Sequence, residues 1–178
     1  MKSIKHVALA AFMTLSAFCA VLYSSCSKDA CKDVVCQNGG TCADGNCTCA
    51  TGYEGTRCET VARLKYVNTY VGNGTDNATP SNSYTGFRAV VTATGTDVTK
   101  LQLVLQDNTT TPVVALPITL TTFTATNSTF TITSTSASGY TYTGSGTISA
   151  TVVSLTLVET ANVGGGVITY NFPTMTKL

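Results

Sequence analysis

All eight cysteines of this chain lie within its first 58 residues, and the last six fall inside the 28 residues from Cys31 to Cys58. A segment that short cannot bury a core large enough to hold its own shape, so it depends on cross-links. The six are Cys31, Cys36, Cys42, Cys47, Cys49 and Cys58, with four, five, four, one and eight residues between successive cysteines. Six cysteines allow 15 pairings, and spacing alone does not choose among them. The 120 residues after Cys58 contain no cysteine and must fold by burial instead. The chain therefore divides into a stapled N-terminal part and a larger remainder.

Ahead of the cysteine cluster stands an export signal. Lys2 and Lys5 make a positive start, and Val7 to Leu22 is apolar except for Thr14 and Ser16. That run is shorter than the roughly 20 residues a membrane-spanning helix needs. Small residues Ser24 and Ser25 follow, completing the layout of a signal peptide over residues 1–25. The segment Leu22-Tyr23-Ser24-Ser25-Cys26 resembles the lipobox of bacterial lipoproteins, with Tyr23 in place of the usual Leu. The resemblance implies that Cys26 becomes the mature N-terminus and carries acyl chains such as palmitate. Residues 26–30 would then form a short polar tether, and Ser27 after the cysteine fits sorting to the outer membrane. Cysteine parity agrees, because one lipidated Cys out of seven leaves six to pair. Two or more acyl chains anchor a protein without any transmembrane helix.

Residues 31–58 resemble an EGF-like domain. The resemblance is carried by Cys36-Gln37-Asn38-Gly39-Gly40-Thr41-Cys42 and by Cys47-Thr48-Cys49-Ala50-Thr51-Gly52-Tyr53-Glu54-Gly55-Thr56-Arg57-Cys58. It implies the pairs Cys31–Cys42, Cys36–Cys47 and Cys49–Cys58. Loops near ten residues make each bridge worth about 3 kcal/mol. Asp44-Gly45 is a two-residue hairpin signal between Cys42 and Cys47. Some EGF-like domains bind calcium, which takes six to eight oxygen ligands. Here Ala30 stands where an acid is expected, so Asp29, Asp33 and Asp44 are read as solvated carboxylates and no metal is expected.

From Glu59 to Leu178 about one residue in four is Thr, and apolar and polar residues alternate. Leu101, Leu103 and Leu105 alternate with Gln102, Val104 and Gln106; Phe130 and Ile132 alternate with threonines; Leu155 with Leu157, and Ile168 with Tyr170 and Phe172, follow the same period of two. β-branched Thr suits an exposed strand face. With turns at Gly72-Asn73-Gly74, Thr94-Gly95-Thr96-Asp97, Asp107-Asn108, Ser138-Gly139 and Gly164-Gly165-Gly166, eight strands are expected near 63–71, 84–93, 99–106, 113–120, 129–134, 140–148, 151–158 and 167–173. The fold class is mainly β: a small disulfide-rich module followed by an antiparallel eight-stranded barrel or a two-sheet sandwich. The strand Gly144-Ser145-Gly146-Thr147-Ile148-Ser149, followed by Val152 to Val158, resembles the small lipocalin-like barrels found in bacterial lipoproteins.

Chemistry is sparse. The only His is His6, inside the expected signal, and the six unlipidated cysteines are read as bridged. That removes the commonest general base, the usual zinc ligands and a thiol nucleophile. No phosphate-cradling glycine motif precedes a helix. A net charge of +1, with 11% charged residues, gives no footprint for nucleic acid. No catalytic residue, cofactor or metal is expected. Arg88 is read as facing solvent rather than holding a ligand carboxylate, and Tyr140 and Tyr142 as core or rim packing rather than a sugar platform. The chain is expected to be a membrane-anchored, surface-exposed lipoprotein acting as a non-catalytic binding or structural module, with a protein or glycan partner at the cell surface. The alternative is a carrier of a small apolar ligand inside a lipocalin-like barrel.

Overall fold

The structure, a computed structural model of the 178-residue chain, describes residues 30–108, 112–123 and 126–178. The expected signal peptide, Cys26 and all of the 26–30 tether except Ala30 lie outside the described residues.

The N-terminal module is held by Cys31–Cys42, Cys36–Cys47 and Cys49–Cys58, the pairs implied by the EGF-like resemblance. Strands β1 (Thr41–Ala43) and β2 (Asn46–Thr48) form a hairpin. Asp44 and Gly45 turn it with φ of 50° and 81°, the left-handed pair that matches strand twist. A second short pair, β3 (Tyr53–Glu54) and β4 (Thr60–Val61), leads out of the module.

The remainder is a closed antiparallel barrel of β5 (Asn68–Asp76), β6 (Ser83–Ala93), β7 (Lys100–Gln106), β8 (Pro112–Phe123), β9 (Asn127–Ala137), β10 (Tyr140–Ser149), β11 (Val152–Ala161) and β12 (Val167–Lys177). Sequential strands pair, and β12 closes on β5 with a register running from Tyr170 opposite Asp76 to Lys177 opposite Tyr70. Barrel, not sandwich, is the outcome. Closure removes the unpaired edges that a hydroxyl-rich open sheet would expose.

The period-two pattern sorts the side chains as the alternation implies. Leu101, Leu103, Leu105, Phe130, Leu155, Leu157 and Phe172 are buried in the barrel. The outer face is hydroxyl-rich: Thr119, Thr131, Ser145 and Thr156 stand opposite one another across β8 to β11.

The first barrel strand departs from expectation. Residues 63–66, expected to begin a strand, lie in a 3-10 helix (Ala62–Tyr66), and β5 runs through Gly72-Asn73-Gly74 instead of turning there. These glycines serve close packing. A Cβ on Gly74 would lie 2.4 Å from Phe172 Cδ1 of β12, so the missing side chain is the space that Phe172 fills. Gly146 plays the same part for Phe130. Several strands also run further than the apolar pattern reaches, β9 to Ala137 and β12 to Lys177, because ladder hydrogen bonds continue along their polar ends.

The two ends of the barrel differ. The 3-10 helix and the disulfide module lie at the end where the chain enters β5. There Tyr66 is fully buried and its hydroxyl lies 2.7 Å from Ser128 Oγ. The Tyr70 hydroxyl donates to the carbonyls of Tyr66 and Ser149, both at 3.0 Å. Buried Arg63 donates to the carbonyls of Thr94, Gly95, Asp97 and Lys100, pinning the β6–β7 loop over this end. The module is tied on by Lys65 Nζ to Glu54 Oε2 at 2.6 Å and by Ala62 N–H to the Gly52 carbonyl at 2.8 Å.

Candidate functional site

At the opposite end, where the β5–β6, β7–β8, β9–β10 and β11–β12 connections lie, a cavity of about 130 Å³ opens into the barrel. It is close in size to an engineered apolar cavity of about 150 Å³ that binds benzene, and well below the roughly 300 Å³ at which drug-sized sites begin.

One wall is aromatic. Tyr84 and Phe87 of β6 meet Tyr170 and Phe172 of β12, although β5 runs between them. Gly74 of β5 lies between these strands, opposite Tyr84, and makes the meeting possible. Ring centroids are 5.4 Å apart for Tyr84–Phe87, 5.8 Å for Tyr84–Tyr170 and 5.5 Å for Phe87–Phe172. The facing wall is supplied by Leu105, Val113 and Val114 of β7 and β8 and by Tyr142, Leu157 and Glu159 of β10 and β11. Val113 and Tyr140 stand exposed at the rim.

Two carboxylates face inward at this end and they differ in how fully they are engaged. Asp76 ends the inward series Tyr70, Gly72, Gly74 on β5. Its Oδ1 accepts from the amides of Ala78 (3.1 Å) and Asn82 (2.8 Å), and its Oδ2 from Asn82 Nδ2 (2.8 Å) and the Tyr84 hydroxyl (2.7 Å). Those bonds, the ones from Asn82 foremost, hold its carboxyl down at about 2. Asp76 thus shapes the β5–β6 loop, which includes the cis Thr79–Pro80 bond. Glu159 continues the inward series Val153, Leu155, Leu157 on β11 and lines the cavity. It accepts from the Tyr170 hydroxyl at a long 3.4 Å and also faces the Tyr142 hydroxyl. A carboxylate has about four lone-pair sites, so Glu159 keeps acceptor capacity toward the cavity.

Burial, then the neighbouring Glu159 charge, pushes the Tyr142 hydroxyl up to about 12; burial, then the bond to Asp76, does the same for Tyr84. The Tyr170 hydroxyl is also pushed up, by burial first and by Glu159 next. All three stay protonated near neutrality and act as donors toward the carboxylates.

The residues singled out from the sequence are placed as follows. Arg88 stands between inward-facing Phe87 and Ala89, opposite Val71 and Gln106, so it lies on the outer face and not in the cavity. Tyr142 is buried in the cavity wall and Tyr140 is at the rim, their rings 6.5 Å apart and tilted by 48°, which presents no single flat platform. Asp33 and Asp44 are exposed in the module. Among the described residues no group of three or more His, Cys, Asp or Glu side chains gathers as for a metal ion. Neither Glu159 nor Asp76 was singled out from the sequence. The signal for Glu159 was the same period of two that marks Leu155 and Leu157, continued one step further. No protein-family model, curated protein or solved structure matches this chain.

Proposed function

We propose that this chain is an exported bacterial lipoprotein, anchored through Cys26, that acts at the outer membrane or cell surface as a non-catalytic binding module. The lipobox-like segment and the cysteine parity support the anchor. The EGF-like motifs support a bridged spacer at residues 31–58. The observation that carries the reading is the opposed placement of the barrel's two ends: the disulfide module and Arg63 occupy one, and the cavity opens at the other. A tether through the module leaves the cavity facing away from the membrane, toward whatever the cell surface meets.

The cavity also favours a second reading, that of a carrier for a small, largely apolar ligand. An eight-stranded barrel either fills itself with side chains or holds one small ligand. This one is filled with side chains at its closed end and leaves a cavity at its mouth.

Mass spectrometry on protein extracted from its own membrane tests both. The denatured mass is expected to begin at an acylated Cys26 and to include three disulfides. An unacylated chain retaining residues 1–25, or cleaved elsewhere, overturns the anchor. A native mass exceeding the denatured mass by one discrete small molecule supports the carrier; equal masses leave a macromolecular partner as the object of binding.

A further inference from the structure

Within the carrier reading, the chemistry of the cavity narrows the class of ligand. Three tyrosine rings and Phe87 line a cavity of about 130 Å³, and one inward carboxylate, Glu159, lies against it. Aromatic faces carry a negative quadrupole that attracts a cation within about 6 Å. Among the described residues no Lys or Arg forms an ion pair with Glu159; the pairs Lys65–Glu54 and Lys100–Asp97 lie at the closed end. Among the described residues, the connections at the mouth, residues 77–82, 107–108, 138–139 and 162–166, contain no Lys or Arg, and Asp76, Asp107 and Glu159 all lie at that end. Arg88, on the outer wall, is the basic side chain nearest in strand position. A cleft of one sign with low-dielectric walls concentrates the opposite charge.

Asp76 is spoken for by four donors, so the unfilled acceptor capacity belongs to Glu159. A neutral apolar ligand would leave that carboxylate facing a hydrocarbon surface, which costs desolvation without compensation. An ammonium group with a short apolar body satisfies both walls.

The geometry points to a small organic ammonium compound as the ligand, its nitrogen against Glu159 and its alkyl groups on the rings of Tyr84, Tyr142 and Tyr170. This inference rests on the carrier reading, and a pair of near-isosteric probes separates the two. Calorimetric titration of the full, disulfide-bonded protein with choline, and with its neutral isostere 3,3-dimethylbutan-1-ol, is the test. Choline is expected to bind about tenfold more tightly, the scale of a desolvated cation–π and carboxylate contact. Glu159→Gln is expected to remove that preference, weakening choline and strengthening the isostere by relieving the desolvation of the carboxylate. Tyr170→Leu, which deletes one ring, is expected to weaken choline more than the isostere. Equal affinity of the wild-type protein for both probes overturns the cation and leaves the apolar carrier standing. Binding of neither overturns both. Because the wild-type comparison decides the matter alone, a variant that fails to fold does not rescue the inference.

Discussion

The Tyr66 hydroxyl and Ser128 Oγ lie 2.7 Å apart in the closed end of the barrel, though 62 residues separate them in the chain. Tyr66 comes from the 3-10 helix and Ser128 from the start of β9, and both are buried. The bond joins the lead-in segment to the far side of the barrel. Tyr66→Phe keeps the ring but leaves a buried hydroxyl unpaired, and is expected to cost about 1–3 kcal/mol in urea unfolding. Tyr66→Phe combined with Ser128→Ala is expected to cost less than the two single changes added together. Additive losses would mean that the two hydroxyls are not coupled.

Arg63 is buried with its guanidinium against four backbone carbonyls of the β6–β7 region, while its Nε has no partner. Hydrogen bonds to a charged donor are among the stronger ones in proteins. Arg63→Met is expected to destabilise the protein by about 3 kcal/mol, as does breaking a buried charged network. Arg63→Lys, lacking the planar fork, is expected to restore only part of that. Amide exchange should quicken first in residues 94–100; unchanged protection there would show that the loop is held by other contacts.

Asp76 titrates at about 2 in the folded protein, against an ordinary value of 3.8. A carboxyl with a depressed folded pKa contributes stability that is complete above the unfolded value and is lost as pH falls through the folded one. Thermal midpoints of wild type are therefore expected to drop between about pH 4 and pH 2. Asp97 and Glu59 are held low as well, so the measurement is the difference between wild type and Asp76→Asn. That difference should be constant above pH 5 and shrink below pH 4. A difference independent of pH would remove the carboxylate from the loop's stability.

The disulfide module touches the barrel at few points. Gly52, at φ +90°, sits so close to Val98 that a Cβ would lie 2.3 Å from Cγ2. The barrel closes through β12 and β5 without any residue of the module. Deletion of residues 31–58 is expected to keep the β-sheet circular dichroism and lower the thermal midpoint modestly. Loss of the sheet signal would make the module part of the barrel's folding unit.

Much of the barrel can be read along the chain because each strand carries its own two-residue period. Leu101, Leu103 and Leu105 could face only one way once the sheet formed, and Asp44-Gly45 and Ser138-Gly139 are turn signals that act over four residues. Positive φ at Ser138 and Gly139 closes the β9–β10 hairpin where the turn signal stands. The candidate site was less legible. Tyr84, Tyr142 and Tyr170 come from three strands, and nothing local to any of them says that they share one mouth.

Gly72-Asn73-Gly74 shows where the division falls. By local propensity it is a turn, and a chain read residue by residue ends the strand there. What overrules the propensity is the arrival of Phe172 and Met175 from a strand a hundred residues later, which need the volume that two absent side chains leave. The sequence alone determined the disulfide-rich module, the number of strands and the apolar face of each, because those depend on covalent spacing and on a period of two. Only the tertiary structure decided closure into a barrel, the filled end and the open one, and the placing of Glu159 among aromatic rings, because those depend on which distant strands meet and on how their side-chain volumes share one interior.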